Sequence, residues 1–206
     1  MTLDGEKRRA VSRFSAVPHL GGRVVSVPRS QVPLRLVPLG ERTSFLDDVY
    51  RRYCRYVAAV VLRLDGRQAE VDDIVQEVFV EAARGVTRLR DTDAVKGWLA
   101  TITVRVVRHR LRMRRLRRWL GMDAQADYAG LIDPSASPVD KLVVRAVYRV
   151  LDELPVEERL AFSLHHIEGE KLDVVARLCR CSPATAKRRI ARAQRAIEEH
   201  MGDGRG

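Results

Sequence analysis

Three cysteines in 206 residues are too few for a disulfide framework and fit a reducing compartment. No apolar run reaches the roughly 18–20 residues that cross a bilayer as a helix, and the opening residues lack a secretory signal's apolar core. A soluble, intracellular chain without a membrane span is therefore expected. Credible strand signals are missing after residue 44, so the chain reads as all-α. There is no phosphate-binding glycine loop, no H-E-x-x-H and no convergent carboxylate cluster on a basic face. A nucleic-acid enzyme is thus disfavoured, and no catalytic residue, cofactor or metal is expected. Acidic side chains are also scarce in one place. Between Arg84 and Arg118 only Asp91 and Asp93 stand against twelve Arg or Lys.

That local scarcity explains most of the net charge of +11. The Arg84–Arg118 block carries an excess of +10, whereas Phe45–Ala83 and Trp119–Pro155 each come to −3. A near-neutral chain with one concentrated basic block points to a localised polyanion site. A merely solubilising surface is the competing reading.

Met1–Thr43 holds Pro18, Pro28, Pro33 and Pro38, with eight basic residues against three acidic, and reads as a disordered basic arm. A first helix is predicted from Ser44, where "SFLD" offers a capping box, to Asp65-Gly66. A second, about Ala69–Arg84, has an apolar face and an acidic stripe of Glu70, Asp73, Glu77 and Glu81 beside Gln76. A third starts near Asp93 and carries Trp98, Leu99, Ile102, Val106, Met113 and Leu116 at helical spacing. The arginine-rich "RVVRHRLRMRRLRRW" therefore continues an amphipathic helix. Arg105, Arg108, Arg112 and Arg115 share one face of it, and that row suits a nucleic-acid backbone better than a small anion.

Gly121–Asp140 is small, acidic and broken by Pro134 and Pro138, so it reads as a flexible linker between two small helical domains. Beyond it come a helix to Leu154, a second over Val156–Ile167 ended at Gly169, then Leu172–Leu178 and Pro183–Arg195. The last two, joined through "RCS", form a helix-turn-helix pattern with Ser182 as N-cap and Pro183 at the first helical position. Thr185, Lys187, Arg188, Arg189 and Arg192 fall on its exposed face; a plain helical bundle would look similar. Cys179 and Cys181 near His165 and His166 raise metal binding or thiol sensing, but C-x-C is a poor zinc spacing and ordinary packing fits better.

"DDIVQEVFVEAARG", followed by "KGWLATITVRVVRHRLR" and then by "LDELPVEERLAFSLHHIEGEKLDVVARLCRCSPATAKRRIARAQRAI", resembles bacterial sigma-70-family factors of the extracytoplasmic-function class. The resemblance covers about Phe45–Arg118 and Asp140–His200. It implies domains at 44–119 (region 2) and 140–201 (region 4), with 120–139 as linker. It implies a subunit that binds core RNA polymerase, reads −35 and −10 promoter elements and assists opening, in the cytoplasm at the nucleoid. Asp73, Gln76 and Glu77 would dock on the clamp coiled coil of the largest polymerase subunit, with the β flap as a second contact. Arg88, Arg90 and Lys96 would line the flipped-base pocket. Trp98, Arg105, Arg108, Arg112 and Arg115 would hold the opened −10 strand. Thr185, Lys187, Arg188, Arg189 and Arg192 would meet the −35 duplex. An anti-sigma protein is a further implied partner. The chain departs from the class at Arg105, where asparagine is usual, near His109, where aspartate is usual, and at Val95 or Ala100, where an aromatic is usual. Cys179 replaces a common turn glycine, so a looser turn is expected. A stand-alone helix-turn-helix regulator remains the alternative, which would have no use for the acidic second helix.

Overall fold

The computed structural model describes residues 39–89, 94–122, 128–131, 135 and 137–203. Among them every regular element is helical. Most of the arm lies outside the described residues. Its last five residues do not follow the sequence reading, because helix α1 runs Leu39–Asp65 and Ser44 is interior to it. The helix already includes Leu39 and Gly40, so the capping box at Ser44 goes unused. Its apolar face, with Val57, Val61 and Leu64 buried, packs on α2 (Val71–Gly85) and α3 (Val95–Trp119). Gly66 ends α1 with φ +86°, a conformation glycine reaches without a Cβ penalty.

Helix α3 buries Leu99 and Ile102 as its apolar spacing predicts, but over its last turns a different side faces inward. Val107, Leu111 and Arg114 are its buried row. At about 100° per residue, Leu116 falls opposite that row and Met113 about 120° from it. Both were expected in the core, and both are exposed. Val106 is buried as expected.

The C-terminal unit holds α4 (Pro138–Glu153), α5 (Val156–Phe162), α6 (Leu172–Leu178) and α7 (Pro183–Asp203). Ser137 caps α4 by accepting from the Asp140 amide at 3.1 Å, with Pro138 at the first turn. Helix α5 widens into a π-turn over Ser163–Ile167, closed by the Glu168 amide on the Ser163 carbonyl. Ser182 caps α7 through the Thr185 amide at 3.2 Å.

The helix-turn-helix corner is tight, contrary to the expectation placed on Cys179. The left-handed position is Arg180, with φ 52°, while Cys179 stays helical at φ −80° and is buried. The Cys181 amide reaches back to the Ala176 carbonyl at 2.9 Å, closing a Schellman-type end. The cysteine at 179 therefore costs the turn nothing, and the strain sits at Arg180, which carries a Cβ in left-handed backbone. Left-handed backbone at a residue with a Cβ costs roughly 1–2 kcal/mol. Arg180→Gly should accordingly raise the unfolding free energy of the C-terminal unit by roughly 0.5–1 kcal/mol, after allowing for glycine's looser unfolded chain. Urea melts followed by circular dichroism read this directly; a lower midpoint for Arg180→Gly would show that the turn is unstrained.

Candidate nucleic-acid interface

The two helical units do not stand apart. Helix α3 lies along α5 and α6, and the end of α1 meets the π-turn and the short turn Ala129–Leu131. One cluster of buried apolar side chains runs from Val57 and Leu111 in the first unit to Leu160 and Val175 in the second. Tyr128, from the linker, is buried and donates to Asp152 at 2.5 Å.

This packing changes the environment of the arginine row assigned to DNA. Arg108 is mostly covered, donating to the Leu178 carbonyl at 3.2 Å and pairing with Glu157 at 3.2 Å. Arg112 pairs with the same carboxylate at 2.8 Å, though it remains 62% exposed. Arg115 donates to the Leu154 carbonyl at 3.3 Å. Only Arg105 faces away from the C-terminal unit, and it pairs with Glu81 at 2.7 Å. The row is a continuous face, as its spacing demanded, but in this arrangement the C-terminal unit covers part of it. Glu157 in the first turn of α5 lies opposite Arg108 and Arg112, beside apolar side chains that the two units bury together.

Beneath the row sits a buried ionic network. Arg114, phased with the apolar positions of α3, donates to both Asp65 oxygens at 2.8 and 2.9 Å and pairs with Glu70 at 2.9 Å. Asp65 is completely buried. Arg159 of α5 donates to the Asp65 and Leu64 carbonyls at 2.6 and 3.3 Å and pairs with Asp152. Tyr148 donates to the Arg63 carbonyl at 2.7 Å, and Arg63 pairs with Glu168 at 2.5 Å. The last carbonyls of a helix lack intrahelical donors, and here the second unit supplies them. Burial opposes ionisation of Asp152, yet Arg159, the Tyr128 hydroxyl and Arg67 together hold its carboxyl below the usual carboxylate range.

The acidic stripe on α2 divides. Glu70, Glu77 and Glu81 turn toward α3, pairing with Arg114, Arg110 and Arg105. Asp73 and Gln76 are exposed, together with Val80 one turn on. The open face is thus Asp73, Gln76 and Val80, with half-buried Glu77 on its rim. Trp98 is half-buried against Gly85, 3.6 Å from where a Cβ there would stand. Lys96 is exposed and lies over the Tyr56 ring at 4.9 Å. Arg88 closes the turn Val86–Arg88, and Arg90 lies outside the described residues. Val95, where an aromatic is usual, is buried in the core.

On α7, Lys187 and Arg188 are exposed, and Arg188 donates to the half-buried Thr185 hydroxyl at 3.2 Å. Arg189 and Arg192 lean toward α5, 3.6 Å from Glu157 and 3.4 Å from Glu158. Burial pushes the Cys179 thiol up to about 11, so it is protonated near neutrality and packs as a small apolar group. His165 shares its Nδ1 with the Glu170 carbonyl, and His166 stacks on Phe162.

The sigma-70 region 2 family model matches residues 49–117, and the sigma-70, region 4 model matches residues 144–197. The chain belongs to the sigma-70 family. Within that family it is of the extracytoplasmic-function type. It is similar to the probable RNA polymerase sigma factor RfaY of Xanthomonas campestris, 30% identical over 149 residues. That alignment covers 70% of this chain but 37% of RfaY, so the chain spans little more than a third of that relative. It is also similar to the ECF RNA polymerase sigma-E factor of Escherichia coli, 28% identical over 181 residues, covering 83% of this chain and 93% of that one. Among solved structures, the sigma factor RpoE in complex with the anti-sigma factor NepR from Bartonella quintana aligns with a TM-score of 0.58 at 21% identity. It covers 78% of this chain and 98% of that one. CnrH in complex with the cytosolic domain of CnrY aligns with a TM-score of 0.50 at 17% identity, covering 97% and 99%. Both share the helical fold. A stand-alone helix-turn-helix regulator is not favoured, because the region 2 match covers the part such a regulator would leave unused.

Sequence reasoning missed the Asp65–Arg114 pair that seats α3 on α1, and the groups that seat one half of this sigma factor on the other: Tyr148, Asp152, Glu157 and Arg159. Asp65 looked like part of a helix stop, and Arg114 like one more arginine in a basic row. Its signal was its phase, three residues after Leu111. Truncating Arg114 leaves the buried Asp65 carboxylate without the guanidinium that donates to both its oxygens, a change that costs about 3–5 kcal/mol in buried pairs. Arg114→Ala should therefore unfold the N-terminal unit at much lower temperature, while Arg117→Ala, an exposed neighbour, should melt like the parent. Equal melting of the two variants in calorimetry would show that the network is dispensable.

Proposed function

We propose that this chain is a dissociable specificity subunit that binds core RNA polymerase, carries it to promoters with −35 and −10 elements, and assists opening. The observation that carries the reading is one chain presenting an exposed acidic face on α2, a basic row on α3 and an exposed pair of cations early on α7. Asp73 and Gln76, flanked by Glu77 and Val80, are the surface for the clamp coiled coil of the largest polymerase subunit, and the C-terminal unit is the surface for the β flap. Lys96, Trp98, Arg105, Arg108, Arg112 and Arg115, with Arg88 and Arg90 at the preceding loop, serve the −10 strand. Cations along a backbone with an aromatic nearby are what single-stranded DNA requires. Thr185, Lys187 and Arg188 meet base edges or phosphates of the −35 duplex, with Arg189 and Arg192 behind them. The subunit acts by binding and has no catalytic step of its own. Its place of work is the cytoplasm, at the nucleoid. The neighbour RpoE was captured with the anti-sigma factor NepR, and an inhibitor of that kind is a third expected partner. The units, 44–119 and 140–201 in the sequence reading, extend to the starts of α1 at Leu39 and α4 at Pro138.

Reconstitution with core polymerase on promoter-enriched genomic DNA tests this reading; mapped transcript starts should share two spaced elements, and starts indistinguishable from core enzyme alone would refute it. Asp73→Lys should weaken core-polymerase binding at moderate salt with no change in helicity, since Asp73 is exposed. Unchanged affinity in titration would remove α2 as the docking surface.

Arg188→Ala separates two roles. If Arg188 reads a base, about 1–3 kcal/mol is lost and preference changes at one −35 position. A phosphate contact instead gives an even loss across sequences and a salt slope shallower by ~1. Wild-type promoter affinity would exclude both.

A further inference from the structure

The acidic turn opening α5 sits at the junction of both basic surfaces. Glu157 takes three guanidiniums at once: Arg108 at 3.2 Å and Arg112 at 2.8 Å from α3, and Arg189 at 3.6 Å from α7. Glu158 takes Arg192 at 3.4 Å. These carboxylates stand where backbone phosphates would stand if the same arginines held DNA. At the far end of the seam, Tyr148 and Arg159 close on the last carbonyls of α1. Gly66 lets the Tyr148 ring approach, since a Cβ there would lie 2.8 Å from it. Lys187 and Arg188 remain outward, so closure engages the α3 face and leaves the outer edge of the recognition helix free.

We propose that the first turn of α5 is a built-in phosphate mimic, which clamps the C-terminal unit onto the α3 arginines and holds the free chain off −10 DNA until polymerase or DNA takes those arginines over. The proposal rests on the DNA-binding reading of α3 given above. The magnitudes suit a switch. Half-exposed ion pairs such as Arg112–Glu157 are individually weak, about 0–1 kcal/mol, and are screened by salt. A nucleic-acid strand offers several phosphates in a row and releases counterions as it binds, so it can displace them collectively. The buried contacts at the end of α1 fix the closed geometry but engage none of the α3-row arginines. Weakening them opens the chain without changing the DNA-binding surface.

Three variants of the full chain test this by small-angle scattering and by titration of a fluorescent forked DNA at fixed salt. Glu157→Gln keeps the side-chain volume and removes the shared charge. Tyr148→Phe removes the hydroxyl from the Arg63 carbonyl without altering any charge. Both should enlarge the radius of gyration at unchanged helicity and tighten fork binding by about 5-fold or more, the usual scale of a coupling between two states. Tighter binding by Glu157→Gln with no expansion, together with an inert Tyr148→Phe, would overturn the clamp and leave Glu157 as a local repulsive charge. Expansion with unchanged fork affinity would overturn it equally. The third variant, Arg108→Ala with Arg112→Ala, separates the underlying reading. Because it also loses the Glu157 pairs, it is compared with Glu157→Gln: if the two bind the fork equally tightly, the α3 assignment fails; if it binds more weakly than the parent while the two seam variants gain nothing, the clamp alone fails.

Discussion

The end of helix α1 is the point on which the rest of the structure depends. Asp65 is wholly buried there, and a buried carboxylate persists only when paired and hydrogen-bonded. Arg114 supplies that partner from α3 and so fixes how α3 lies across α1. The orphan carbonyls of the same turn then capture Arg159 and Tyr148 from the second unit. One helix terminus thereby sets both the rotation of the arginine helix and the seat of the C-terminal unit. Glycine at 66 makes that convergence sterically possible.

Two kinds of electrostatic contact divide the labour. The interior network pairs nearly every charge, so breaking one member strands another in a low-dielectric site. The contacts of Arg112 and Arg192 on the rim are exposed to water and ions. The first kind gives a defined geometry, and the second gives one that competing anions can alter. A sigma factor that must pass from free subunit to polymerase and then to DNA gains from having both in the same seam. Helix α2 shows the same division, with Glu70, Glu77 and Glu81 turned toward α3 and Asp73 left free for another surface.

Much of the fold was legible beforehand. Gly66 and Gly169 were read as helix stops, and both take positive φ. Ser182 was read as a cap and accepts from the Thr185 amide. These are local effects of one residue's backbone freedom or one short hydrogen bond, so a short window contains them. The start of α1 and the corner at Arg180 were misread for a related reason: several local solutions existed, and the chain took the one its neighbours stabilise. Ser44 can cap a helix, but nothing obliges the helix to begin there.

The amino-acid sequence by itself determined an all-α chain, two motif-bearing halves in a fixed order, a basic helix rather than a basic tail, and membership of the sigma-70 family. Each follows from periodicity, charge density or motif order, which need no partner. Only the tertiary structure decided which arginines are solvated and which are held. Arg114 and Arg115 are neighbours of identical chemistry, yet one is buried on Asp65 and the other sits at the rim beside Leu154. The difference is about 100° of helix rotation, and that rotation is set by a carboxylate 49 residues away in the chain.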